Sequence, residues 1–297
     1  MSYNQKKQKL NLSDKRPLTS LGKIGLGISY LVLVLWCVII IWPLVQMVLA
    51  SFNGNNVKYI GINGQFNFSM KHFVYLFTET NYLKWIANTL FIAFSTVLIT
   101  LTFVSLTGFA YSRYRFKGKK ASLISIMLIQ SIPSFVGIVA YFTMHSIISS
   151  ISPYFTRQMM LILIYSSGGI AGNTFILKGY LDSISMELDD AARIDGCSSI
   201  KIYSLVIMPI AKPMLAIIAL WSFITPFIDY LLPKVLLTNL ESYTLAAGLY
   251  TLINDHRTMN EPAFAAGGLL IAIPIVILFA FLQKHLVSGL SKGSIKG

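Results

Sequence analysis

The chain has 297 residues, of which 55% are hydrophobic and only 12% charged, with a mean hydropathy of +0.67. Soluble proteins carry roughly 25% charged residues, so a soluble globular domain is excluded. The 24 Lys and Arg against 11 Asp and Glu give a net charge of +13, which in a chain this apolar fits basic cytoplasmic loops rather than nucleic-acid binding.

Residues 1–23 form a polar, basic arm. The apolar run after it is too long for a signal peptide and shows no clear cleavage site, so a retained first helix is predicted at 24–50. The following segment, 51–84, carries turn signals at Asn53-Gly54 and Asn63-Gly64 and reads as an ordered hydrophilic excursion. Runs free of Lys, Arg, Asp and Glu occupy 85–112, 121–156, 158–177, 213–228 and 262–283. A crossing takes about 20 apolar residues. Spans are therefore predicted at 85–112, 121–147, 157–180, 207–232 and 262–285, six in all with the first. Ser149 to Pro153 is expected to end the third, and Pro133, Pro226 and Pro274 to kink or locally unwind theirs. Gly168 with Gly172, and Ala263 with Gly267, are small-residue pairs suited to close helix packing. With the N-terminus inside, 18 of the 24 basic residues fall on the inner side, which puts both termini in the cytoplasm.

Cys37 and Cys197 make no disulfide framework, and the histidines 72, 145, 256 and 285 are too dispersed for a metal or catalytic centre. No catalytic and no metal residues are predicted. The chain lacks a G-x-x-x-x-G-K-[ST] phosphate loop, so it does not hydrolyse ATP by that route.

The segment 182–212 stands out. It holds Asp182, Glu187, Asp189, Asp190 and Asp195. Ser185 can cap a helix whose first turns carry Glu187, Asp189 and Asp190, favourable against the helix dipole. Ala191 and Ala192 keep that helix slim, and Asp195-Gly196 signals a turn at its end. An amphipathic stretch from Ile200 to Ile207 leads into Pro209. An ordinary surface loop is the bland reading; a rigid knob for another protein to grip is the sharper one.

Asp229 is the second candidate. An acid in a span costs about 2.5–3.5 kcal/mol on insertion scales and faces protein or water. It is either a hydrated group at the outer interface beside Tyr230 and Pro233, or part of a substrate route with Asn173 and Tyr230. Trp221, Phe223 and Tyr230 offer stacking faces, although at helical spacing such residues also serve packing. A secondary transporter, favoured by an internal repeat, and a membrane enzyme, favoured by a converging acid–base cluster, are the rival classes.

The string from Glu187 to Pro213 resembles the EAA loop of ABC-importer permeases. It matches at Glu187, Ala191, Ala192, Asp195, Gly196, Pro209 and Pro213, and departs at Cys197 and Met208. Asn88-Thr89, the basic stretch Tyr111 to Phe116, the stretch Ser242 to Ala246 and the tail from Leu286 are also similar to carbohydrate importer permeases. The tail and the stretch Ser242 to Ala246 most resemble the second, six-span permease of maltose/maltodextrin-type systems. The resemblance implies an all-α membrane protein of the type I importer fold, with a cytoplasmic coupling helix between spans four and five. It implies a basic arm at 1–23, a permease domain at 24–286 with its coupling segment at 182–212, and a cytoplasmic tail at 287–297. The partners implied are a homologous second permease, two ATPase subunits, an extracellular sugar-binding protein and the lipid of a bacterial plasma membrane. No cofactor is expected on this chain; ATP and Mg belong to the ATPase subunits. Glu187 and Asp195 would fix the coupling helix by capping and salt bridging, Ala191 and Ala192 would allow close seating, Gly196 would set the turn, and Pro209 would lead into the next span. The implied substrate is a maltodextrin or other oligosaccharide, with another sugar, a sugar alcohol or a glycerol phosphate as alternatives.

Overall fold

The computed structural model describes residues 20–55, 66–132, 134–254 and 259–293, with side chains except at 20, 21, 134, 135 and 284–293. The Asn63-Gly64 turn, Pro133, most of the N-terminal arm and the last four residues lie outside the described residues. The chain forms two compact units, Met1–Met47 and Val48–Gly297.

The first unit contains most of α1 (Ser20–Ser51), whose side chains from Ile24 to Leu44 are all exposed and mostly apolar. A helix that is hydrophobic all round is built for lipid or for burial.

In the second unit, the excursion after α1 is ordered where described. Asn53 Oδ1 accepts from the Asn55 and Asn67 amides, and the buried His72 ring bonds the Asn53 carbonyl at 2.9 Å. His72 lies on α2 (Lys71–Glu79), and α3 (Tyr82–Arg113) follows. Desolvation pushes the His72 pKa down, so its imidazole stays neutral there.

Four of the predicted later spans appear as long helices: α3, α6 (Arg157–Asp182), the helical stretch Ser199–Ile228, and α12 (Glu261–Gly293). With α1, five helices among the described residues are long and apolar enough to cross a membrane. The expected third span is the exception. It consists of α4 (Lys119–Gln130), a 3₁₀ turn at Ser134–Gly137 and α5 (Ile138–Ile151). At 1.5 Å per residue these 12- and 14-residue helices reach only about 18 and 21 Å, short of a core about 30 Å thick. The sequence reason is Pro133, which offers no amide and drives its predecessor out of helical geometry. α9 (Met208–Ile228) and α12, by contrast, remain helical through Pro226 and Pro274.

α3 runs along α6, and α9 packs against both and against α12. Close approach is provided by glycines, including one of each pair expected from sequence: a Cβ on Gly172 would sit 3.0 Å from Gln130 and one on Gly267 2.3 Å from Leu249. A Cβ on Gly108 would sit 2.9 Å from Leu177, and one on Gly169 would sit 3.2 Å from Thr100, whereas nothing lies within 4 Å of Gly168. Two apolar cores result. One gathers Trp85, Ile92, Leu161, Phe223 and Leu245; the other gathers Val104, Leu177, Leu181, Ile202 and Ile207.

The first core is closed by α11 (Leu245–Tyr250). Trp85 Nε1 donates to the Leu240 carbonyl at 2.7 Å, Asn88 Nδ2 donates to the carbonyls of Glu241 and Tyr243, and Thr89 accepts from the Leu245 amide at 2.7 Å. Asn88-Thr89 and Ser242 to Ala246, distant in sequence, thus form one clamp. Gly248 seats directly on the Trp85 ring, where a Cβ has no room. Gly248→Ala should destabilise the folded protein by about 1–3 kcal/mol, the usual cost of overpacking, while Gly179→Ala, with nothing nearby, should leave it unchanged. Thermal unfolding of the purified protein in detergent checks both.

Candidate functional site

Two constellations carry chemistry: the segment after α6, and a polar cavity among α3, α6 and α9.

After α6 the chain forms α7 (Glu187–Ile194). Ser185 Oγ accepts from the Glu187 amide at 3.2 Å, although the N-cap position itself falls on Met186. At the other end Gly196 has φ +81°. The Gly196 amide bonds the Arg193 carbonyl and the Cys197 amide bonds the Ala192 carbonyl at 2.9 Å, which together make a Schellman turn. The left-handed backbone explains glycine at 196. Cys197 packs with Ala192 on the second core, so a small side chain suits that place.

α7 has two faces. Asp189 and Ala192 are buried, whereas Glu187, Leu188, Asp190, Ala191 and Ile194 are exposed. Asp189 meets Arg113, the last residue of α3, with Nε and Oδ2 3.1 Å apart and both side chains nearly fully buried at 2% and 1% exposure. Those two atoms face each other as charges without a hydrogen bond, and the terminal amino groups of Arg113 serve the C-terminal end of α6 and the loop after it. They reach the Leu181 carbonyl at 2.9 Å and the Ile184 carbonyl at 3.3 Å. Ser112 next to it donates to Asp182 at 2.7 Å. The ion pairs of α7 thus belong to Asp189 and, on the surface, to Asp190 with Arg193. Among the described residues neither Glu187 nor Asp195 forms one, and that corrects the salt-bridging role expected of them. Arg113 and Asp189 were missed because the sequence places them 76 positions apart, one in a basic exit and one in an acidic helix turn.

After Gly196 comes α8 (Ser199–Lys201), then a π-helical stretch at Ile202–Ile207, then α9. The proline at 209 removes one i→i−4 bond at this junction, and a local π turn absorbs the mismatch. Tyr203 from that stretch bonds Ser105 of α3 at 2.8 Å. The fifth span therefore begins earlier than expected and ends at Ile228, with Asp229 as its cap.

The cavity has a volume of about 310 Å³ and is lined by Asn173 and Asp229, together with Thr96, Tyr165, Trp221 and Ser222 among others. Asp229 Oδ2 accepts from the Tyr165 hydroxyl at 2.9 Å, and Oδ1 accepts from the Leu231 and Leu232 amides. The carboxylate thus caps α10 (Leu231–Leu236) while lining the cavity, so both readings of Asp229 hold. Asn173 donates to the Gly169 carbonyl. Tyr230 is absent from the lining; it stacks on Tyr250 with centroids 4.6 Å apart. The Thr96 and Ser222 hydroxyls are buried with no hydrogen-bond partner. Their signal lay in helical spacing: Thr89, Thr96 and Thr100 share one face of α3, and Ser222, Thr225 and Asp229 one face of α9.

A cavity with a few polar groups among three apolar spans, joined through Arg113 and α3 to a surface helix with an exposed face, fits a membrane transport subunit worked from outside its own chain. Residues 104–292 match the family described as binding-protein-dependent transport system inner membrane component, and the chain belongs to that family. It is a multi-pass membrane component of a transport system rather than an enzyme, which sets aside the secondary-transporter and membrane-enzyme readings. Among similar proteins, the maltodextrin transport system permease protein MdxG of Bacillus subtilis (strain 168) is 42% identical over 91% of this chain and 95% of its own length. The galactooligosaccharides transport system permease protein GanQ of the same organism is 41% identical over 92% and 96%. MalD of Streptococcus pneumoniae, another maltodextrin permease by name, is 38% identical over 91% and 95%. In fold, the chain is similar to a bacterial ABC transporter involved in the import of the acidic polysaccharide alginate, with a TM-score of 0.74 at 19% identity, over 91% of this chain and 99% of the other.

Removing one partner of a buried ion pair costs about 3–5 kcal/mol. Asp189→Leu should therefore loosen α7 and speed hydrogen exchange across residues 185–197, and adding Arg113→Met should recover much of the protection. Unchanged exchange in the single variant would show that the pair does not hold α7.

Proposed function

We propose that this chain is one permease half of an ATP-driven carbohydrate importer that carries maltodextrins or related oligosaccharides. A homologous permease completes the pathway, two ATPase subunits hold ATP and Mg, and an extracellular binding protein delivers the sugar. Both termini and α7 face the cytoplasm. The observation that carries the reading is α7 itself: a helix with a Schellman end, fixed by a buried ion pair, whose Leu188, Ala191 and Ile194 remain open to a companion. The names of the similar proteins support the substrate class.

The mechanism follows from the connections. Closure of the ATPase pair displaces α7. Arg113 ties α7 to the end of α3 and to the Leu181 carbonyl of α6, so the push is delivered to both helices rather than lost in a flexible loop. α3 and α6 supply Thr96, Tyr165 and Asn173 to the cavity. Their displacement opens and closes that cavity to alternate sides of the membrane, the rocking motion of a packed, bistable body.

The cavity chemistry suits a neutral polyhydroxylated ligand. Its lining residues include a carboxylate, an amide, unpartnered hydroxyls and the indole of Trp221, and no Lys or Arg. Once movement of the helices uncovers the buried Thr96 and Ser222 hydroxyls, a sugar hydroxyl can satisfy them, whereas a glycerol phosphate would meet Asp229 with no cation to offset it. The absence of lysine and arginine in the lining thus weighs against the phosphate alternative.

Two variants test the proposal in vesicles holding the assembled importer. Gly196→Val strains the left-handed turn and should lower uptake and binding-protein-stimulated ATP hydrolysis by about tenfold or more, within the range of measured coupling energies, at normal membrane levels. Full activity would overturn the coupling role. Ser222→Ala breaks no existing bond and should lower maltotriose uptake roughly three- to tenfold, the net worth of one hydrogen bond, while leaving basal ATP hydrolysis unchanged. Unaltered uptake would remove the cavity from the route.

A further inference from the structure

A second cavity lies at the α7 end of the bundle, outside everything used above. It is an open groove of about 770 Å³ lined by Lys119, Lys120 and Lys178, by Gly118, and by Phe116, Leu123 and Ile124. Neither the coupling helix nor the polar cavity among α3, α6 and α9 includes any of these residues. We propose that this groove binds the headgroup of an anionic phospholipid, with an acyl chain lying along α4.

Charge is the first argument. Three lysines line one groove whose lining residues include no carboxylate. Lys178 pairs with Asp182, which Ser112 also engages, and Lys119 donates to the Tyr114 carbonyl at 3.1 Å. Lys120 makes no side-chain bond among the described residues. Setting Asp182 against Lys178 leaves an excess of two positive charges, complementary to a phosphodiester. Basic pockets at the cytoplasmic ends of spans bind anionic headgroups by this complementarity.

Backbone geometry is the second. Gly118, at φ +87°, turns the chain so that α4 begins at the groove, and it gives that helix no side-chain cap. The Lys119 amide already bonds the Phe116 carbonyl, which leaves the Lys120 and Ala121 amides of the first turn to face an anion, and the helix dipole favours one there.

The third argument separates a lipid from free phosphate or a companion protein. Ile124, Met127 and Leu128 follow the lysines along α4 at helical spacing and are all exposed. Free phosphate has no use for that stripe. The stripe runs away from the basic end, along a helix of the broken crossing, where a hydrocarbon chain is the available occupant. Phe116, Leu123 and Ile124 join the headgroup site to the stripe without a gap.

The test uses the assembled importer reconstituted with phosphatidylglycerol and phosphatidylcholine, then extracted in mild detergent for native mass spectrometry. The wild type should retain phosphatidylglycerol selectively. Lys119→Gln combined with Lys120→Gln should lower that retention by about tenfold or more, since each lysine near a charged surface contributes about 1 kcal/mol; Lys71→Gln should not lower it. Inorganic phosphate in excess should leave the retained lipid in place. A phosphatidylglycerol carrying a diazirine on its acyl chain should cross-link to peptides containing Ile124 to Leu128 in the wild type, a readout independent of any variant's folding. Equal retention in the double variant, displacement by phosphate alone, or cross-links confined to other helices would overturn the proposal.

Discussion

A guanidinium and a carboxylate taken out of water together lose their hydration, and each then depends on the other and on nearby carbonyls. Arg113 and Asp189 stand in this condition. The strain of leaving either alone makes the joint between α7 and the membrane helices stiff. Because the same arginine reaches the carbonyls of Leu181 and Ile184, three pieces of chain meet at one side chain: the end of α3, the end of α6 and the start of α7. A surface ion pair such as Asp190 with Arg193 could not do this, since water competes for it and its worth is small.

Around that joint the fold separates two tasks. Near α7, Leu177, Leu181, Ile202 and Ile207 pack into one apolar core. Toward the other core, Trp85, Asn88 and Thr89 clamp the turn leading into α11. Between them α3, α6 and α9 enclose hydroxyls left without partners. Unsatisfied polar groups in a bilayer are costly, which sets these hydroxyls apart from the apolar packing on either side.

Much of this was legible in the sequence. Charge-free runs located the long helices because hydrocarbon tolerates so few ionised groups. Asp195-Gly196 announced its turn because glycine alone takes a left-handed backbone without cost. Pro133 announced an interruption of the third crossing, but its division into two short helices was hidden by apolar composition that persists across 121–156. Gly168 was taken for a packing residue, yet it lines the cavity, because spacing alone does not say which face meets a neighbour. Arg113 with Asp189, and Thr96 with Ser222, are products of tertiary contact. No local pattern in either partner announces the other.

The central claim is that α7 and α3 move as one body when the companion ATPases close. With Cys37 and Cys197 replaced by serine and alanine, spin labels at Ile194 and Leu106 report the distance between the two helices in the assembled importer. That distance should be the same with and without ATP, while a label pair between Ile194 and the second permease shifts. A change of several ångströms between Ile194 and Leu106 on ATP binding would contradict the account.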